Sequence, residues 1–122
     1  MNLAGKTLQD WLDRADALGA AGRYFDAHEE LEIPWKAADG DSKIALQGLI
    51  QLAAGLHRMR TRPDQVDGAR YLLDRGLEKL GRVRGLLTPR SFAALERAVR
   101  DVRAAAEAPA SLRFGLAVAA DR

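Results

Sequence analysis

Apolar residues recur along this chain at three- and four-residue steps, the spacing of one face of an α-helix, and no alternating strand pattern interrupts them before the C-terminal tail. Leu8, Trp11, Leu12, Ala15 and Leu18 form a first stripe. Thr7 is placed to cap it, with Asp10 three residues on, and Gly19 and Gly22 bracket its end. A second helix is predicted from about Arg23, with Tyr24, His28, Leu31, Glu32 and Trp35 near one face and Phe25 beside them. Pro34 has no amide donor and its ring would strike the carbonyl of Glu30, so this helix is expected to kink or stop near Ile33.

Asp39-Gly40-Asp41-Ser42 reads as a turn with a ready N-cap. The helix after it is apolar on nearly all sides (Ile44, Leu46, Leu49, Ile50, Leu52, Ala53, Leu56, Met59), which places it in the middle of a bundle. Arg60 to Asp64 ends it. A fourth helix follows, with Val66, Ala69, Leu73, Leu77 and Leu80 on its inner face and Gly68 and Gly76 allowing close helix contact. Thr88-Pro89 signals a cap and first turn for a fifth, striped by Phe92, Leu95, Val99, Val102 and Ala106 and stopped by Pro109. The pattern is that of an all-α bundle of about five helices over residues 1–109. In the tail, 110–122, Leu112, Phe114, Leu116 and Val118 alternate, which suits an extended segment laid against the bundle or against a partner subunit.

Composition narrows the chemistry. The 122 residues suffice for one core, and 48% hydrophobic with 30% charged residues is ordinary globular make-up. Without cysteine, disulfides, thiolate metal sites and iron–sulfur clusters are excluded, so a metal would need histidine, carboxylate or carbonyl ligands. No apolar run approaches the roughly 20 residues of a membrane span, and the start has no basic segment followed by an apolar one; the expected location is cytoplasmic, with no membrane partner. Residues 1–57 carry 5 Lys/Arg against 9 Asp/Glu, and residues 58–122 carry 14 against 8. That asymmetry could steer an anion toward the C-terminal half, but no basic motif interleaved with aromatics accompanies it, which argues against nucleic acid as the partner.

The only two histidines fall in the two segments where polar residues break the helical apolar pattern. His28 and Glu32 are one turn apart and face the same way, Glu29 lies about 100° round, and Glu30 points away. On the next helix Gln47 and Gln51 share a face, with Ile50, Ala54 and His57 on an adjoining one, and Ala53, Ala54 and Gly55 leave space near His57. Three readings follow. A divalent metal such as zinc, iron or manganese would find His28, His57 and Glu32 as ligands, with Glu29 as an outer group or general base. Without metal, Glu32 could orient an imidazole that acts as base on a bound water or hydroxyl. Alternatively, the cluster is a buried structural network, since an unpaired polar group there would cost about 1–3 kcal/mol. Arg58 and Arg62, on one face just beyond His57, could receive a phosphate or carboxylate at a pocket mouth.

The run Tyr24 to Glu32 with Trp35, followed by Leu46-Gln47-Gly48-Leu49-Ile50-Gln51-Leu52-Ala53 and His57, resembles the family catalogued as domain of unknown function 309; Gly68-Ala69, Leu72-Leu73 and Leu77 look like its next helix. The resemblance spans about residues 20–80 and implies a small cytoplasmic antiparallel helical bundle, with no established activity. It marks His28, Glu29, Glu32, Trp35, Gln47, Gln51 and His57 as the family's polar signature. The chain departs from that pattern at Ile33-Pro34, where a smoothly helical pair is expected before Trp35, and at Leu56, where an aromatic often precedes the histidine.

Together these features point to a polar pocket between the second and third helices, with Trp35, Gln47 and Gln51 in its lining, Glu29 and Glu32 as its acid–base groups, and His28, Glu32 and His57 as its metal ligands. It would take a divalent metal or a small polar ligand, with hydrolysis as the accompanying chemistry. The competing expectation is a non-enzymatic interaction module whose outer faces or tail recruit a partner, such as another copy of the chain.

Overall fold

The computed structural model of the chain describes residues 2–3 and 5–119; within them five helices follow one another: α1 (Leu8–Ala20), α2 (Tyr24–Ala37), α3 (Gly40–Thr61), α4 (Val66–Arg82) and α5 (Pro89–Ala105). Ahead of them a two-residue antiparallel ladder pairs β1 (Asn2–Leu3) with β2 (Lys6–Thr7). Two-residue strands leave too short an alternation to be read from sequence. The Leu3 carbonyl accepts from the Trp11 indole N–H at 2.8 Å, which pins this hairpin to α1.

Local chemistry sets the helix ends. Thr7 and Asp10 make the reciprocal capping box of α1: the Thr7 hydroxyl accepts from the Asp10 amide (3.1 Å) and the Asp10 carboxylate from the Thr7 amide (3.0 Å). Thr88 caps α5, with Pro89 in its first turn. Asp39 holds the N-cap position of α3 but makes no side-chain cap bond.

Two expected stops are corrected. α2 does not end near Ile33 but runs through Pro34 to Ala37. Proline removes only its own bond to Glu30, and the turn beyond it keeps its closing bond, from the Ala38 amide to the Pro34 carbonyl at 2.9 Å, while the ring itself is buried. α5 ends before Pro109: Ala106 turns left-handed (φ 56°, ψ 32°) with its amide bonded to the Val102 carbonyl, so it closes the helix instead of continuing the stripe.

α2, α3 and α4 lie side by side and antiparallel, as cross-helix pairs show. Phe25 meets His57 while Trp35 meets Lys43, and Gly48 faces Gly76 while Gly55 faces Ala69. α3 is the central helix. Leu46, Leu49, Leu52, Ala53 and Leu56 on its inner side are fully buried. Its outer stripe, with Gln47, Ile50, Gln51, Ala54 and His57, is only half-buried and forms the floor between α2 and α4.

α1 and α5 flank this layer, and the tail closes the core between them. Leu112, Phe114 and Leu116 are buried in the same apolar cluster as the helices. The tail backbone is held by α1, through Leu112 N–H to the Gly19 carbonyl (2.9 Å), Gly115 N–H to Asp16 (2.9 Å) and Val118 N–H to Gln9 (2.7 Å). On its other side the Thr88 amide donates to the Ala117 carbonyl at 2.8 Å. Positions 120–122 of the tail lie outside the described residues. At the tail's start, Arg60 donates to the carbonyls of Gly22 (2.6 Å) and Pro109 (2.8 Å) and lies over the buried Tyr24 ring, whose hydroxyl donates to the same Pro109 carbonyl.

The α3–α4 contact is backbone on backbone. A Cβ on Gly76 would come within 2.7 Å of the Gly48 carbonyl oxygen and 2.8 Å of the Leu52 side chain. Gly76→Ala is therefore expected to destabilise the fold by about 1–3 kcal/mol, read by chemical denaturation. Ala106→Gly should act in the opposite sense, raising stability by about 1 kcal/mol through relief of the left-handed strain at the α5 terminus.

Candidate functional site

The antiparallel register of α2 and α3 brings the first turns of α2 against the last turns of α3, and both histidines meet there. His28 and His57 line one open pocket of about 370 Å³, together with Phe25, Ala54, Arg58 and Leu72 among others. The Phe25 ring contacts both imidazoles, stacked 6.1 Å from His28 and tilted 5.2 Å from His57 (centroid distances). It remains 49% exposed.

On the α2 side, His28, Glu29 and Glu32 bring one ligand atom each to within 4.8 Å of one another. Nδ1 of His28 is 3.6 Å from a Glu32 oxygen and 3.9 Å from a Glu29 oxygen, beyond hydrogen-bond length in both cases. That nitrogen is buried and has no hydrogen-bond partner. Helical spacing explains the placement: positions i and i+4 share a face, and i+1 reaches its edge. Glu30 turns away, as its position on the helix requires, and clasps Arg14 of α1 through two bonds of 2.7 and 3.0 Å. The Arg14 guanidinium holds the Glu30 carboxyl below its ordinary range.

His57 lies outside the His28–Glu29–Glu32 group and packs beside Phe25. Trp35, Gln47 and Gln51 do not line the pocket. They sit toward the other end of the groove, since Trp35 is seven residues, roughly 10 Å, beyond His28 along α2, and Gln47 is about 15 Å before His57 along α3. Trp35 is half-buried there with the Lys43 ammonium 4.4 Å from its ring centroid, and its indole N–H is buried without a hydrogen-bond partner. Gln51 is engaged: its Oε1 accepts from the Lys79 ammonium of α4 at 3.0 Å.

Lys79 was not foreseen from sequence, nor were Thr61, Gln65 and Leu72 as pocket residues. Lys79 is 7% exposed, and burial first, then the nearby Arg75 charge, push its ammonium below the ordinary lysine value, against a smaller opposing pull from Glu78. A signal existed: Lys79 falls three residues after Gly76, on the face by which α4 touches α3. Arg58 was recognised as a mouth residue, and the structure shows what holds it. Its guanidinium lies on Gly68, where a Cβ would meet Nε at 3.1 Å, and one of its nitrogens donates to the side-chain Oε1 of Gln65 at 3.1 Å.

Compared with known proteins, the chain matches the family described as Domain of unknown function (DUF309) over residues 12–72. The chain belongs to this family. The matched stretch runs from α1 to the middle of α4, so it contains His28, Glu29, Glu32, Trp35, Gln47, Gln51 and His57 together with every residue that lines the pocket. No curated protein and no solved structure matches the chain. Among the described residues, no helix is long and apolar enough to cross a membrane.

The Lys79–Gln51 pair yields a stability prediction. Gln51→Leu leaves a buried ammonium unpaired and should cost about 1–3 kcal/mol, whereas Lys79→Met, which removes the charge, should be neutral or stabilising. Because the folded state binds the Lys79 proton less tightly than the unfolded chain, wild-type stability rises relative to Lys79→Met as pH increases from the lowered value toward the ordinary one. The difference between the two denaturation midpoints should therefore shift in favour of wild type as pH rises toward about 10.

Proposed function

We propose that this protein binds a divalent cation through His28, Glu29 and Glu32, and that the pocket running from His28 to His57 holds a small polar ligand beside it. The observation that carries this reading is the buried Nδ1 of His28, without a hydrogen-bond partner and faced by two carboxylates at 3.6 and 3.9 Å. A buried, unpaired imidazole nitrogen costs about 1–3 kcal/mol, and a cation shared with the carboxylates removes that cost. The spacing suits a metal: two ligand atoms about 2.1 Å from a tetrahedral zinc stand roughly 3.4 Å apart, close to the Nδ1–Glu32 separation. One imidazole and two carboxylates fit zinc, iron or manganese in preference to the soft ions that need thiolate.

A cation held by His28, Glu29 and Glu32 would supply activation of water, and the chemistry that fits this is hydrolysis of the pocket's ligand. His57, which lines the pocket beside Phe25, would then exchange a proton with that ligand instead of joining the metal. At the opposite end of the groove the structural-network reading is favoured for Gln51, whose side-chain oxygen is taken by Lys79.

Protein purified without a metal-affinity tag should contain close to one divalent ion per chain by elemental analysis. It should melt lower after chelation and recover with added zinc or manganese. His28→Ala and Glu32→Gln should both lose the ion. Metal-free protein whose melting temperature ignores both chelator and added ions would refute the cation site.

A further inference from the structure

The pocket's composition says more about its ligand than the cation reading requires. Its lining includes an exposed phenyl ring in contact with both imidazoles, and Ala54 and Leu72 supply further apolar surface. The mouth carries the guanidinium groups of Arg58 and Arg62, and no carboxylate lines the pocket among the described residues. The two arginines are held differently. Arg58 rests on Gly68 with one nitrogen bonded to Gln65, which orients the group and leaves its other N–H donors free. Arg62 is exposed, with Asp64 3.7 Å from its Nε. Gln65 is also the N-cap residue of α4, the end at which the helix dipole is positive.

We propose that this pocket binds a small anion attached to a flat ring, of the chemical class of a nucleoside monophosphate, with the ring against Phe25 and the anionic group between Arg58 and Arg62. This rests on the ligand half of the proposed function and needs no metal. A flat ring would cover the one large apolar side chain left open in the pocket, by offset stacking of the kind aromatic pairs favour. The two guanidiniums match the oxygens of a phosphate or carboxylate in charge and geometry. About 370 Å³ lies near the lower end of the range for small-ligand sites, which suits a mononucleotide-sized molecule and not a dinucleotide.

Titration of chelator-treated full-length protein with adenosine monophosphate, adenosine or inorganic phosphate tests this, read by calorimetry and by the proton resonances of its two histidines. The monophosphate should bind and move both histidine signals, and adenosine and phosphate should each bind at least about tenfold more weakly. Arg58→Ala and Arg62→Ala should each weaken the monophosphate about tenfold while leaving adenosine unchanged, and Phe25→Ala should weaken the monophosphate and adenosine but not phosphate. All three side chains are exposed, so the variants should melt within a few degrees of wild type. The inference is overturned if the monophosphate does not bind, if it binds no better than phosphate, or if its affinity ignores these substitutions. Binding to protein that also takes up no metal would leave this inference standing and remove the cation site; metal uptake without monophosphate binding would do the reverse.

Discussion

Backbone-to-backbone approach between α3 and α4 is the contact on which the rest of the structure depends. Glycine at 48, 55 and 76 removes the side chains that would hold the two helices at an ordinary separation, and Leu52, Leu73 and Leu80 fill the space around that seam. With α4 drawn close on one side and α2 on the other, the outer stripe of α3 becomes the floor of a groove instead of a free surface. Both ends of that groove inherit their character from this depth. At one end Lys79 is pulled out of water and must use Gln51. At the other, Arg58 is laid on the α4 backbone at Gly68, beside the two imidazoles.

The helices were legible because each buries a single stripe, and a 3.6-residue period in apolar side chains is the direct record of that burial. Their ends were less so. Pro34 is a local veto on one hydrogen bond, and sequence alone does not reveal that burial of its ring and the turn closed by Ala38 outweigh that loss. Ala106 is apolar and continues the α5 stripe by count, but its backbone is left-handed, a property no side-chain pattern encodes for an alanine. The Thr7 and Thr88 caps, by contrast, depend on atoms only three residues apart and were readable as such.

The same division between local and distant explains the site. The side chains of His28, Glu29 and Glu32 come together because they occupy adjacent positions on one helix, so their proximity follows from the sequence. Which residues of α3 and α4 face them is a matter of helix register. Antiparallel packing pairs the beginning of α2 with the end of α3, which favours His57, Arg58 and Thr61 as neighbours of His28 over Gln47 and Gln51. Phe25 illustrates the limit from the other side: an aromatic beside an apolar stripe looks like core, and only the opening between the three helices leaves its ring uncovered. Membership of the Domain of unknown function (DUF309) family covers this whole register, from α1 into α4.

The tail bears on how the molecule comes together in time. Gln9 makes its bonds to Leu116 and Val118 across 107 and 109 positions of the chain, and Leu112, Phe114 and Leu116 seal a trough between α1 and the start of α5. On the ribosome, where residues emerge at about 5–20 per second, those sealing residues are synthesised after every helix they cover. The strap's contacts, which have the longest sequence separations among the hydrogen bonds of the described residues, can therefore form only after every helix has been made, and until then α1 carries an open apolar seam.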